Sequence, residues 1–268
     1  MPDGNLSGMA HETTSRDGTS LAYESTGDGP AVVLVSGAMS TGATLAPLAG
    51  SLAERGLTAV TYDRRGRGGS GDTAPYDVAR EVEDLAALIE AVGGEAALCG
   101  VSSGGALALE AAASGLPVRQ VAVYETPFTV YEGGTAEWAT YTERLTEALG
   151  EGRRGDAVEL FLRLTGLAEA MIQGARQSPM WAGMEAIAPS LAYDAAVLGD
   201  GDVPRERLAA IEVPVLAVAG GESPAWMREA AQAVAEAAPK GAYRSLPGQT
   251  HMVEPQVLGP ALAEFFGA

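Results

Sequence analysis

Apolar positions along this chain fall into short unbroken runs separated by longer amphipathic stretches. AVVLVSG (31–37), LTAVTYD (57–63), EAALCG (95–100) and VRQVAVYE (118–125) are such runs. They read as strands buried on both faces of a sheet. Between them, ATLAPLAGSLAERG, VAREVEDLAALIEAVG and SSGGALALEAAASG carry a helical pattern, and the second closes on Gly93. Ahead of them, ETTSRDGTSLAYESTG reads as a hairpin turning at Asp17-Gly18. Strands that alternate with helices in this way predict an α/β fold, a mostly parallel central sheet with helices on both faces.

The alternation stops after Glu125. From Thr126 to about Arg207 no strand pattern is evident, and four helix-like runs follow one another: TAEWATYTERLTEALG, DAVELFLRLTG, LAEAMIQGAR and SPMWAGMEAIAPSLAYDAAVLG. VPVLAVAGG (213–221) then resumes the sheet. The helix SPAWMREAAQAVAEAAP, the strand-like GAYRSLPG, the stretch QTHM and a final helix VEPQVLGPALAEFFGA complete the chain. The expected organisation is a loose lead-in (1–10), a core in two parts (11–126 and 208–268) and a helical cap (127–207) inserted between two strands.

Composition narrows the function classes. The 268 residues are 47% hydrophobic, enough for a sizeable core, and carry a formal net charge of -18. Such a charge repels phosphate backbones and disfavours nucleic-acid binding. Lys240 is the only lysine, which leaves Schiff-base chemistry little to draw on. The lone cysteine, Cys99, lies in a strand run and reads as a small buried residue. No stretch is long and apolar enough to span a membrane. The N-terminus lacks the basic start and apolar core of a signal peptide, so a cytoplasmic location is expected. No spacing of histidine, cysteine and carboxylate suggests a metal, and neither the early glycines nor DRRGRGGSGD matches a nucleotide-binding loop.

The chemistry concentrates in Gly100-Val101-Ser102-Ser103-Gly104, between a strand and a helix. A nucleophile on a tight strand-to-helix turn needs small residues two before and two after it, because bulkier ones clash. Only Ser102 has glycine at both positions. A helix-capping serine with close packing at the glycines is the alternative reading. If Ser102 attacks, the backbone N–H of Ser103 can stabilise the oxyanion that forms. The base for such a serine is histidine, and the chain has two. His11 sits in the polar lead-in region, where a surface role is expected. His251 lies between the last strand and the last helix, where loops at the carboxyl ends of parallel strands converge.

Taken in order, AVVLVSGAMS, TYDRRGRGGSG, CGVSSGG, a helical insert after YETPF, VPVLAVAGG and PGQTHM resemble the α/β-hydrolase family from about Thr13 to the end. The resemblance implies a Ser-acid-His triad beneath a helical cap, with no cofactor. It implies an oxyanion hole formed by the amides of Ser103 and Ala38, with Met39 lining the pocket nearby. The family often has His-Gly where this chain has Ser36-Gly37. Its customary triad aspartate would fall near Ser223, where no aspartate stands. Two glutamates are candidates instead. Glu222 is one residue away. Glu125 ends the preceding strand, where some family members carry the acid, and is placed slightly ahead. The DRRGRGGSGD loop matches the family's structural turn, with Asp63 and Arg64 expected to make loop hydrogen bonds.

The insert is rich in aromatic and soft apolar residues, some of which must form its own core. Phe128, Trp138, Met180, Trp181 and Met184, with Trp226 and Met252 beyond it, suggest a largely apolar pocket. The expected activity is hydrolysis of a hydrophobic small-molecule ester, thioester or lactone through an acyl-enzyme on Ser102. The alternatives on the same fold are acyl transfer, cyclisation, elimination or cofactor-free perhydrolysis, and a non-catalytic ligand-binding role. The expected partner is a small apolar acyl substrate, with neither nucleic acid nor membrane involved and a monomeric or homodimeric assembly.

Overall fold

The computed structural model describes residues 9–268. Eight strands form one sheet: β1 (Met9–Thr14), β2 (Ser20–Thr26), β3 (Ala31–Val35), β4 (Thr58–Tyr62), β5 (Ala96–Val101), β6 (Val118–Tyr124), β7 (Val215–Gly220) and β8 (Gly241–Leu246). Their order is β1-β2-β4-β3-β5-β6-β7-β8. β1 and β2 are antiparallel to each other and β2 to β4, and every later pairing is parallel. The hairpin turns as expected, but Met9 and Ala10 already pair with Ser25 and Glu24. The lead-in therefore ends before residue 9 rather than at 10, because those two residues complete the edge ladder. The remainder of the lead-in lies outside the described residues.

The helices are α1 (Ala46–Ala53), α2 (Val78–Ala91), α3 (Ser103–Ala113), α4 (Gly134–Gly150), α5 (Arg154–Leu164), α6 (Glu169–Arg176), α7 (Trp181–Ile187), α8 (Leu191–Leu198), α9 (Arg205–Leu208), α10 (Ala225–Ala237) and α11 (Pro255–Phe266). Six of them, α4 to α9, lie between β6 and β7. The long run SPMWAGMEAIAPSLAYDAAVLG is two helices, not one. Pro189 cannot donate to a continuing α-helix, and a 3₁₀ turn at Ala188–Ser190 separates α7 from α8.

The period of two along each strand sorts side chains between two cores. Val33, Val35, Val60, Leu98, Val121 and Val123 pack on one face with residues of α2, α3 and α10. Val32, Leu34, Ala59, Cys99, Ala122 and Tyr124 pack on the other with residues of α1 and α11. Cys99 is buried there, which pushes its thiol up to about 12.

The loop after β4 carries a buried polar cluster besides these two cores. Asp63 closes it by accepting from the amides of Gly42 (2.8 Å) and Gly69 (2.7 Å). Arg64, Arg65 and Arg67 are all buried. Arg64 grips Glu81 of α2 with two bonds of 2.7 Å, and Arg65 grips Asp84 with bonds of 2.8 and 2.7 Å. Forked guanidinium–carboxylate pairs of this kind satisfy charges that burial would otherwise penalise heavily. Losing Glu81 leaves buried Arg64 with Asp194 as its one remaining carboxylate. Glu81→Gln is therefore expected to lower stability by about 3 kcal/mol, read from urea unfolding. A loss below about 1 kcal/mol would show that the pair contributes no more than an exposed one.

Candidate active site

β5 ends at Val101, and α3 begins at Ser103. Ser102 between them has φ 55° and ψ -129°. Non-glycine residues rarely adopt this strained conformation, and where they do, the surrounding fold must hold them there. The small neighbours explain how the turn fits. A Cβ on Gly100 would run into the carbonyl of Gly104, and one on Gly104 into the carbonyl of Val35. The fit requires glycine at both positions flanking Ser102. The Ser102 backbone is pinned by its own amide donating to Tyr124 O (2.9 Å) and its carbonyl accepting from Gly105 N (2.8 Å). Its hydroxyl makes no hydrogen bond among the described residues. Ser103, by contrast, is buried and donates its hydroxyl to Asp194 Oδ1 at 2.8 Å. The structure thus gives the two serines different environments.

The end of β3 abuts this turn. A Cβ on Gly37 would lie 3.0 Å from Ser102 Cβ and 3.0 Å from Val101 O. Ala38 and Met39 follow directly, half-buried, Met39 with φ 55°. As the first residue of α3, Ser103 has an N–H with no intrahelical acceptor, and it sits at the positive end of the helix dipole.

On the other side, Glu125 follows β6 with φ 46°. Its side chain is 0% exposed. Oε1 accepts from the Gly220 amide at 2.8 Å, and Oε2 lies 2.8 Å from His251 Nδ1. Burial by itself pushes the Glu125 carboxyl up. The hydrogen bonds from His251 and the Gly220 amide outweigh that and hold it below the usual carboxylate range. An ionised carboxylate only accepts, so His251 Nδ1 carries the hydrogen, and in the neutral imidazole the acceptor is then Nε2. The loop that carries His251 is tied down by Tyr124 Oη donating to Thr250 O (2.5 Å) and by the Glu222 amide donating to Gln249 O (2.9 Å). Glu222 contributes that amide, but its side chain is exposed. Ser223, nearest the family's customary acid position, is buried and brings a hydroxyl without charge.

Met39, Ser102 and Glu125 are the non-glycine residues with positive φ among the described residues. They follow the ends of the neighbouring strands β3, β5 and β6, and their strain marks that edge of the sheet independently of any sequence motif. His11 lies elsewhere, exposed on edge strand β1 and stacked on Tyr23 at 5.1 Å.

The apolar candidates divide. Met39, Trp181 and Met184 share one small cluster with Val158 and Ala188. Phe128 and Trp138 are instead buried in the main core beside α3, α8 and β6. Trp138 Nε1 is satisfied by Gly199 O at 2.9 Å. Their bulk packs the insert against the sheet layer rather than forming an open wall. A cavity of about 120 Å³ that Phe128 does line, with Leu109, Leu198 and Arg207, includes neither Ser102 nor His251. Met180 and Met252 are 74% and 86% exposed, so neither is part of a closed wall. Trp226 is half-buried and meets Tyr131 edge-on at 6.1 Å.

Sequence reading missed Asp194. It lies in a helix that looks apolar (LAYDAAVL), yet it is buried against Ser103, Arg64 and Arg67. No local signal marked it, because α2 alone carries four carboxylates, Glu81, Glu83, Asp84 and Glu90, for the three arginines of the loop after β4.

A model described as "Alpha/beta hydrolase family" matches residues 32–257. The chain is similar to an alpha/beta hydrolase from Sphaerobacter thermophilus DSM 20745, with 49% identity and a TM-score of 0.86 over 96% of this chain and 100% of that one. It shares its fold with an esterase from Exiguobacterium antarcticum (20% identity, TM-score 0.74, 97% and 100% coverage). The same holds for an enol-lactonase from Burkholderia xenovorans LB400 (21% identity, TM-score 0.69, 96% and 100% coverage).

Proposed function

Since the chain belongs to the α/β-hydrolase family, we propose that it is a serine hydrolase that cleaves a small apolar ester, thioester or lactone through an acyl-enzyme on Ser102. The observation that carries this reading is the 2.8 Å contact of buried Glu125 with His251 Nδ1, which leaves Nε2 free to accept a proton. A histidine held in that tautomer and a strained serine on the turn after β5 are the parts of a nucleophile–base–orienter system.

The steps follow from the atoms. Ser102 Oγ attacks the substrate carbonyl carbon while His251 Nε2 takes its proton. The carbonyl oxygen becomes an oxyanion and accepts from the amides of Ser103 and Ala38. The tetrahedral centre collapses, and the bond to the leaving group breaks as His251 returns the proton to it. Water then attacks the acyl-enzyme as His251 takes its proton, and the second tetrahedral centre collapses, breaking the bond to Ser102 Oγ as His251 returns the proton to that oxygen and the acid departs. Throughout, Glu125 stays ionised and stabilises the imidazolium. The apolar preference rests on Met39, Trp181 and Met184, which form the apolar cluster next to the oxyanion segment. Arg64 and Arg67, the cations nearest the oxyanion segment in the loop after β4, are held by internal partners rather than offered to an anionic acyl group.

The test is labelling of the full chain with a fluorophosphonate, followed by peptide mass analysis. One phosphonyl group is expected on the peptide that carries Ser102, with the label suppressed by prior incubation with a short-chain activated ester. Absence of label at Ser102 under conditions that label a known serine esterase overturns the proposal.

A further inference from the structure

We propose that Asp194, on α8, is a positioning residue for the oxyanion hole, a single buried carboxylate that holds the segments bearing both backbone donors. The inference rests on the serine-hydrolase reading above and adds a residue from the helical insert to it.

The wiring is short and closed. Asp194 Oδ1 accepts from Ser103 Oγ at 2.8 Å and from Arg64 NH1 at 2.7 Å. Its Oδ2 accepts from Arg67 NH2 at 2.7 Å. Arg67 NH1 then donates to Gly37 O (2.6 Å) and Ser40 O (3.2 Å), and Arg64 NH1 also reaches Ser36 O (3.3 Å). One donor amide belongs to Ser103 itself. The other belongs to Ala38, inside the 36–40 segment whose carbonyls the two arginines hold. Both arms of the oxyanion hole therefore end on one carboxylate.

Asp194 is 4% exposed, and every hydrogen bond named here lies within the protein. Burial alone pushes its carboxyl up, but Arg67, Arg64 and the Ser103 hydroxyl hold it below the usual range. It is thus a fixed negative charge. The helix that carries it is also fixed: Tyr193, its neighbour, stacks on Tyr76 at 3.8 Å with rings parallel to 1°. Tyr76 Oη in turn donates to Glu81, the second partner of Arg64.

A donor that is already aimed when charge develops needs no reorganisation, and that is where oxyanion-hole stabilisation originates. Small displacements of such donors reduce turnover even when substrate still binds. A role confined to holding the fold together would lower stability without changing turnover per active molecule, and this difference separates the two roles.

The experiment compares wild type, Asp194→Asn, Ser103→Ala and the double variant as full chains. Turnover of p-nitrophenyl acetate is measured per site titrated with fluorophosphonate, and inhibition by a trifluoromethyl ketone, whose serine adduct carries the oxyanion, is measured alongside. Asp194→Asn is expected to lower kcat by about 10- to 100-fold with KM within about threefold, and to weaken the ketone in proportion. If Asp194 works through Ser103, the double variant falls no further than Asp194→Asn. Unchanged kcat per titrated site, or losses that multiply in the double variant, overturn the proposal. Should Asp194→Asn not fold, Ser103→Ala alone decides. It must lower kcat and weaken the ketone by at least about fivefold, and no change refutes the positioning role. Wild type that is neither titrated by the phosphonate nor active on the ester overturns the serine-hydrolase reading and this one together. Normal titration with unaffected variants overturns only this one.

Discussion

Ser102→Ala is expected to abolish the acyl-enzyme burst with an activated short-chain ester and to lower turnover by at least about 10⁴-fold. The nucleophile is part of a unit, so its removal forfeits nearly all that the base contributes, and only oxyanion binding and water attack remain. A neighbouring serine could in principle take over, but the structure argues against it here. Ser103 Oγ is buried and committed to Asp194 at 2.8 Å. The variant should also keep its fold, since alanine at 102 leaves untouched the backbone bonds that pin the turn. Rapid-mixing kinetics with p-nitrophenyl acetate check the burst. A burst of wild-type amplitude in the variant would place the nucleophile elsewhere.

Glu125→Gln is expected to cost about 10³- to 10⁴-fold in kcat, and Glu222→Gln less than about threefold. Hydrogen-bond direction sets Glu125 apart. The Gly220 amide donates to Oε1, so in the glutamine variant the oxygen must stay on that side. The amide nitrogen then faces His251 Nδ1, where Oε2 now accepts. It donates to Nδ1 and drives the ring hydrogen to Nε2, the atom that must receive the Ser102 proton. The variant thus keeps its shape and loses its base. Glu222 offers nothing comparable, because its side chain is exposed and the loop uses only its amide. Steady-state kinetics on both variants give the ranking, and the reverse ranking would move the triad acid to the loop after β7. The same carboxylate contributes to stability. Its folded value is held below the ordinary one, so its contribution is present above the unfolded carboxyl range and is lost as pH falls through the folded value.

Local features could be read directly from the chain. The apolar runs and their flanking glycines predict β3, β4, β5, β6 and β7 within about two residues, because burial on both faces leaves little room for polar side chains. Gly100 and Gly104 single out Ser102 over Ser103 because the turn brings backbone against backbone, a constraint that five residues of sequence express in full. An aromatic residue has the same one-letter signature whether it walls a pocket or packs a core: Trp138 is buried in the main core, and Phe128 is buried there while also lining a cavity that includes neither Ser102 nor His251.

The sequence by itself determined the sheet, the helices that cover it, the strained serine turn and a short list of two histidines and two glutamates. The tertiary structure decided among them. Glu125 and His251 are 126 positions apart, and only the parallel pairing of β6 with β7 and the fastening of the loop after β8 bring their side chains to 2.8 Å. Asp194 is 91 positions from Ser103 and 127 from Arg67, yet one carboxylate bonds both. Elements follow from periodicity and sterics within a few residues. A site follows from which distant carboxylates the folded chain buries against which donors, and no local pattern encodes that distance.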